Sequence, residues 1–188
     1  MQLAELFGVD ALRYFLLREV SFGQDGSYSP EAIVTRVNAD LANSFGNLAQ
    51  RTLSLIFKNC EGYLPAIRGH NDDDSALLDL VGATVSQHIP AHYEDLAMSQ
   101  GLESWMQAVF ACNAYVDVQA PWALKKTDPE RMETVLATLF ICIAQLAIAA
   151  LPIIPGSATK LLDQMGVPLD VRNFRAAGSH WYSPLAES

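Results

Sequence analysis

Asn47 and Arg51 stand one helical turn apart and carry side chains that could recognise an unpaired base. An amide offers both a donor and an acceptor, and a guanidinium offers a planar fork of donors. Such a mixed array suits the hydrogen-bonding edge of a single-stranded base. Because an exposed helix face often contacts only water, the spacing alone leaves both interpretations open.

A second group of residues combines an aromatic ring with positive charge. Pro121 and Trp122 stand at a predicted helix end, and Lys125 and Lys126 follow them closely. An exposed ring can stack on a base while neighbouring lysines attract the phosphate backbone. The alternative is a structural tryptophan that closes the end of a helical bundle.

The chain lacks the common catalytic signatures, including phosphate-binding glycine loops and zinc-protease motifs. His88 and His92 have the spacing of two metal ligands on a helix, but Pro90 between them disturbs that geometry. Three widely spaced cysteines indicate a reducing, cytoplasmic location. We therefore predict no catalytic residue, cofactor site or metal site in this chain.

The net charge of −9 is unevenly distributed along the 188 residues. Residues 1–70 hold six basic and seven acidic side chains, whereas residues 71–134 hold three basic and eleven acidic ones. A nucleic-acid-binding face is normally basic, so the acidic middle should point away from such a partner. Alternatively, the negative charge simply keeps the protein soluble.

Apolar residues recur with helical rather than strand periodicity, which predicts an all-α bundle of five or six helices. Serine, proline and glutamate at 29–31 predict the start of the longest helix, which ends near Asn59. Its polar residues form one stripe: Asp40, Asn43, Asn47, Arg51, Ser54 and Lys58. Further helices are predicted over Leu3–Glu19, Ser75–Met98 and Leu102–Val118, with a loop at Val20–Ser29 and a break at Ser99–Gly101.

A 20-residue segment without charges, Val135–Ile154, raises the question of a membrane span. The segment contains several alanines and polar residues, and no Lys/Arg cluster flanks it. A helix that is apolar on all sides is also what the centre of a bundle requires. The sequence therefore predicts a core helix, capped by Asp128, and no membrane partner.

Several stretches, read together, resemble the C-terminal part of methionyl-tRNA synthetases over roughly residues 3–170. The N-terminal matches are Phe7-Gly-Val-Asp-Ala-Leu-Arg-Tyr-Phe-Leu16, Phe22-Gly-Gln-Asp-Gly26, Asn38-Ala-Asp-Leu-Ala-Asn43 and Gly46-Asn-Leu-Ala-Gln-Arg51. The later matches are Gln119-Ala-Pro-Trp122 with Lys125, Leu151-Pro-Ile-Ile-Pro155 and Lys160-Leu-Leu-Asp-Gln164.

The resemblance implies a helical domain that binds the CAU anticodon loop of methionine tRNA. It places Asn47 and Arg51 at positions that hydrogen-bond to anticodon bases, and Trp122, preceded by Pro121, at the position that stacks on a base. Phosphate contacts are expected from three lysines: Lys58, Lys125 and Lys126.

The resemblance also implies a catalytic domain as partner, because the family's HIGH-like and KMSKS-like signatures and its zinc-binding insertion are absent here. ATP and magnesium would bind that domain. We expect this chain to be a fragment or the product of a split gene, inactive alone. Residues 1–28 are predicted to form the linker and first helix, 29–170 the bundle, and 171–188 an irregular tail.

A different class of function stays open at the level of sequence. The bundle could be a protein-interaction or scaffold domain in which Trp122 is structural and no RNA binds. RNA binding should weaken as salt rises, whereas a hydrophobic interface should hardly respond.

Overall fold

The structure is a computed structural model that describes residues 2–19, 29–65 and 67–177. Within these residues all regular secondary structure is helical, which confirms the predicted all-α fold. Six longer helical runs in the described residues form the bundle, and short helices lie at their connections. The α-helices are α1 Gln2–Phe7, α2 Val9–Glu19, α3 Pro30–Val37, α4 Asn47–Asn59, α5 Asp72–Ala83, α6 Ile89–Glu94, α7 Met98–Gln119, α8 Pro121–Thr127, α9 Pro129–Ala150, α10 Pro155–Gln164 and α11 Phe174–Ala177.

The helix starts follow local capping chemistry. The Ser29 hydroxyl accepts the Ala32 N–H at 3.1 Å, and the Asp128 carboxylate accepts the Arg131 N–H at 3.0 Å. These bonds satisfy backbone donors that have no partner in the first turn of a helix. Both predicted helix starts are thereby confirmed.

The longest helical run, residues 30–59, is continuous but contains a π-helical segment, Asn38–Gly46, between α3 and α4. A Cβ on Gly46 would lie 2.9 Å from the Leu41 carbonyl oxygen, so the widened turn leaves room only for glycine there. A π turn holds more residues than an α turn, which shifts the phase of the helix. Asp40 is consequently buried, whereas Asn47 is exposed, and the predicted single polar stripe is wrong at its start.

Helix α9 is the centre of the bundle. It packs against α4, α5, α7, α8 and α10. By length and composition it could cross a membrane, but 94% of its most apolar window is buried by the other helices. This burial supports the predicted core helix.

Trp105 on α7 is buried in the core. Its indole N–H donates to the Leu146 carbonyl of α9 at 2.9 Å, and its ring packs edge-on against Phe45 at 4.9 Å between centroids. The three helical runs that contribute these residues are thus joined around one buried ring.

Two predicted helix boundaries are wrong because glycines act differently from the expectation. Gly8, with φ of 81°, separates α1 from α2 within the predicted helix Leu3–Glu19. The predicted break at Ser99–Gly101 is absent, since α7 begins at Met98 and continues through it. A Cβ on Gly101 would lie 2.5 Å from the Tyr93 ring, so this glycine permits close packing of α6 on α7.

The predicted helix Ser75–Met98 is also divided differently. It begins earlier, at Asp72, and a π-helical segment, Thr84–His88, precedes Pro90. The segment lets the helical run continue past the proline to Glu94.

The predicted loop at Val20–Ser29 lies outside the described residues except for Ser29. Most of the predicted tail, residues 178–188, also lies outside them. The described part of that tail, 171–177, is partly helical rather than irregular because it includes α11. Phe174 of α11 packs its ring edge-on against Tyr93.

Candidate nucleic-acid interface

Asn47 and Arg51 begin α4 directly after the π-helical segment. Asn47 is exposed, and the Arg51 side chain retains 36% of its accessible surface. Because they are four residues apart on a regular α-helix, both side chains project from the same face. The predicted amide–guanidinium pair is therefore available to a ligand.

The structure brings Arg51 and Trp122 together from distant parts of the chain. The guanidinium carbon of Arg51 lies 5.4 Å from the centroid of the Trp122 ring, which is a cation–π distance. The Trp122 side chain is 49% exposed, so a structural role as a buried seal is not favoured. Two flat groups, one charged and one aromatic, thus share an accessible surface.

Asp117 on α7 completes this group and was not predicted from the sequence. Its Oδ1 accepts a hydrogen bond from Nη2 of Arg51 at 3.3 Å, and the Asp117 side chain is well exposed. The Asp117 carboxylate on α7 and the Trp122 ring on α8 thus contact the Arg51 guanidinium from two different helices. Arg51 is thereby oriented in the absence of a ligand.

Trp122 is presented by a sharp turn between α7 and α8. Ala120 adopts a left-handed backbone, with φ of 43° and ψ of 58°, and Pro121 begins α8 with its side chain buried. The left-handed conformation is unfavourable for a residue with a Cβ and persists only where the surroundings fix it. The buried proline anchors the turn, and the next residue carries its ring to the surface.

A buried polar network lies behind this turn. Asp74, fully buried in the first turn of α5, accepts hydrogen bonds from both terminal nitrogens of Arg131 and from the Tyr115 hydroxyl. It also accepts a hydrogen bond from the Asn71 N–H at 3.0 Å. In turn, the side-chain oxygen of Asn71 accepts the Asp74 N–H at 3.0 Å and caps the helix. The network ties the start of α5 and the start of α9 to the last turns of α7.

The electrostatics of the network stabilise the charged forms of Asp74 and Arg131 and the neutral form of Tyr115. Burial alone would raise the pKa of Asp74, but hydrogen bonds from Arg131, Tyr115 and the Asn71 backbone hold that pKa below its ordinary value. Hydrogen bonding to Asp74 raises the pKa of Arg131. Burial and the hydrogen bond to Asp74 raise the pKa of Tyr115 far above its ordinary value. Asp74 and Arg131 are therefore a fixed ion pair at neutral pH.

The three lysines predicted to contact phosphates are all exposed. Lys58 lies two turns after Arg51 on α4, and Lys125 and Lys126 lie one turn after Trp122 on α8. Helical spacing puts Lys58 on the face of Arg51. The positive side chains thus flank the base-binding candidates.

His88 is exposed and His92 is partly buried on the run that ends with α6. No group of three or more His, Cys, Asp or Glu side chains converges on one point in residues 2–19, 29–65 and 67–177. The two histidines therefore have no third protein ligand in this part of the chain.

Two family models match separate parts of the chain. Residues 1–53 match the model described as tRNA synthetases class I (M), and residues 64–179 match the anticodon binding domain of methionyl tRNA ligase. Asn47 and Arg51 lie in the first match, and Trp122 lies in the second. The candidate interface therefore combines residues from both matched parts of the chain.

Curated relatives and solved structures agree with these matches. The methionine–tRNA ligase of Mesorhizobium japonicum is 52% identical over 92% of this chain. The ligase of Mycobacterium tuberculosis is 46% identical over 94% of this chain. The chain spans about a third of their length, 33% and 34%.

The crystal structure of apo Mycobacterium tuberculosis methionyl-tRNA synthetase superposes with a TM-score of 0.91 at 43% identity, over 95% of this chain and 36% of that one. Since the anticodon-binding model covers more than half of the chain, the chain belongs to the anticodon-binding domain family of methionyl-tRNA ligases.

Proposed function

We propose that this chain recognises the CAU anticodon of methionine tRNA as part of a methionine–tRNA ligase. The observation that carries the proposal is the approach of the Arg51 guanidinium to the exposed Trp122 ring at 5.4 Å, with Asn47 one turn away. An anticodon base could stack on the indole while the guanidinium and the amide hydrogen-bond to base edges.

The work of such a domain is selective binding rather than bond making. Binding energy that depends on the anticodon holds the correct tRNA while its acceptor end reacts elsewhere in the enzyme. Under this proposal, ATP, magnesium and the attachment of methionine belong to the part of the ligase outside this chain. The cytoplasm is the expected location.

We expect Arg51→Lys to bind an anticodon stem-loop bearing CAU almost as weakly as Arg51→Ala. A lysine keeps the charge but cannot reproduce the planar fork of donors or its stacking on Trp122. The expected cost is about 1–3 kcal/mol of binding free energy, with reduced discrimination against stem-loops whose anticodon is changed. Fluorescence anisotropy with labelled stem-loops measures both quantities.

Wild-type affinity in Arg51→Lys would show that Arg51 supplies only charge. Arg175→Lys is a suitable control, because Arg175 is exposed on α11, which packs against α9 and the π-helical segment Thr84–His88. That variant should bind both stem-loops as the wild type does.

We expect the double variant Lys125→Gln/Lys126→Gln to weaken binding equally for CAU and for changed anticodons. Each phosphate contact in a single strand contributes about −0.7 to the slope of log K against log[salt], so the slope should become shallower by about 1.4. Titrations at several salt concentrations measure it. An unchanged slope would remove both lysines from the interface, and Arg175→Gln gives the control for loss of charge elsewhere.

A further inference from the structure

The turn that presents Trp122 needs support from outside its own sequence. Helix α8 has seven residues, too few to be stable alone, and Ala120 before it is held in a left-handed conformation. Pro121 is buried and Leu124 packs against the core, so α8 lies against α9, while the turn at Ala120 sets how α8 joins α7. The direction of α8 determines where the indole ring lies relative to Arg51.

Gln119, the last residue of α7, supplies such support through both ends of its amide. Its Nε2 donates to Asp73 Oδ2 of α5 at 3.0 Å, and its Oε1 accepts Nη2 of Arg131 of α9 at 2.7 Å. These two partners come from different helices. The residue directly before the left-handed turn is thus bonded to the starts of both α5 and α9.

One partner of Gln119, Arg131, is held by a buried carboxylate, and the other, Asp73, lies on a capped helix start. Arg131 forms two hydrogen bonds with the buried carboxylate of Asp74, and its side chain is only 19% exposed. Asp73 precedes Asp74 in the capped first turn of α5. Gln119 therefore links the turn to a buried ion pair through Arg131 and to the capped first turn of α5 through the exposed carboxylate of Asp73.

Residues on both sides of Gln119 belong to the candidate interface. Asp117, two residues before it, accepts a hydrogen bond from Arg51, and Trp122, three residues after it, lies against the same guanidinium. Arg51 comes from α4 and has no bond to Gln119. The amide of Gln119 thus lies where it can set the position of α8 relative to α4.

We propose that Gln119 is a positioning residue of the RNA site: by bonding α7 to Asp73 and Arg131, it fixes α8 so that the Trp122 ring stays opposite Arg51. The inference rests on the proposed function, since it assigns Trp122 to base stacking. Preorganised groups bind more tightly because the ordering cost is already met in the free protein.

The test compares Gln119→Met with the wild type in binding to the CAU stem-loop. Methionine has a similar length but no amide, so both hydrogen bonds are lost with little change in volume. We expect affinity to fall about tenfold, which corresponds to roughly 1.4 kcal/mol. Gln107→Met is the matched control, because Gln107 is an exposed residue of α7 whose amide donates to Glu103 on its own helix.

A reversed pair tests the hydrogen bond itself. Gln119→Glu keeps the acceptor for Arg131 but places a second carboxylate beside Asp73, so it should weaken binding. Adding Asp73→Asn restores a donor and an acceptor with their positions exchanged, and affinity should return to within about twofold of the wild type. Failure of this double variant to recover would contradict the positioning role.

Trp122→Ala separates this inference from the proposed function. In that background Gln119→Met should cause no further loss, because the ring that Gln119 positions is gone. If Trp122→Ala weakens binding but Gln119→Met does not, the inference fails and the proposed function stands. If Trp122→Ala binds as the wild type does, the inference fails and base recognition is left to Asn47 and Arg51; if the wild type does not bind the CAU stem-loop, both fail. An equal loss of affinity from Gln119→Met with and without Trp122 would also overturn the inference. Urea unfolding of each variant confirms that it is folded.

Discussion

Asp74→Asn is expected to lower the free energy of unfolding by about 3–5 kcal/mol, the usual cost of removing one partner of a buried ion pair. The substitution keeps the shape of the side chain but leaves the Arg131 guanidinium facing a neutral amide. Because Tyr115 and Arg131 both donate to this carboxylate, the amide NH2 must also face a donor. Urea unfolding at pH 7, followed by circular dichroism, measures the loss.

Asp72→Asn is the matched control for this prediction. Asp72 lies in the same first turn of α5 and carries the same charge, but its side chain is exposed. It interacts with the helix dipole as Asp74 does, so its substitution should cost less than about 1 kcal/mol. A similar small loss in Asp74→Asn would mean that the network contributes little to stability.

The same carboxylate makes stability depend on acid pH. Since the pKa of Asp74 is lower in the folded protein than in the unfolded chain, the unfolded state binds the proton more readily. Its contribution is complete above the unfolded value of about 3.9 and is lost as the pH falls through the lower, folded pKa. Unfolding measured between neutral and acid pH should show a smaller loss in Asp74→Asn than in the wild type, because Glu103, whose pKa is also lowered, still contributes.

Trp122→Ala is expected to cost about 1–3 kcal/mol of binding to the CAU stem-loop, the range found when a stacking ring is removed. The free energy of unfolding should change far less than the 3–5 kcal/mol typical of a buried tryptophan, because Trp122 is about half exposed. Trp122→Phe should recover part of the binding, since a smaller flat ring still stacks. Anisotropy and urea unfolding on the same variants give both numbers.

Loss of stability without loss of affinity would reverse this assignment. Such a result would make Trp122 a structural residue and leave Asn47 and Arg51 as the candidates for base recognition. The scaffold alternative would then regain support, because the exposed ring is what distinguishes it from RNA binding.

Local signals in the sequence predicted the helix starts well. The caps at Ser29 and Asp128 depend on side chains that bond to the backbone three residues ahead, so a few letters contain the whole interaction. The π-helical segment before Asn47 has no comparable signal, because its geometry depends on packing around Asp40 and Gly46. Gly101 was misinterpreted for the same reason: its role is defined by Tyr93 on another helix.

The candidate site was predictable only in part. Asn47 and Arg51 share a helix turn and could be paired by spacing, whereas their approach to Trp122 follows from the fold. Asp117, Gln119 and Arg131 were missed because their partners lie on other helices. Neither the charge pattern nor the helical periodicity of the sequence shows that the Gln119 amide bonds the end of α7 to the starts of α5 and α9.

The contact between Arg51 and Trp122 has a consequence for exchanging segments between proteins. The guanidinium lies in the part that matches the synthetase model, residues 1–53, and the ring lies in the part that matches the anticodon-binding model, residues 64–179. A chimera joined between the two matches would inherit the ring from one parent and the guanidinium from the other. Under the proposed function, anticodon preference should be transplanted intact only when the grafted segment includes the whole helical run that begins with α3, since Arg51 lies in that run.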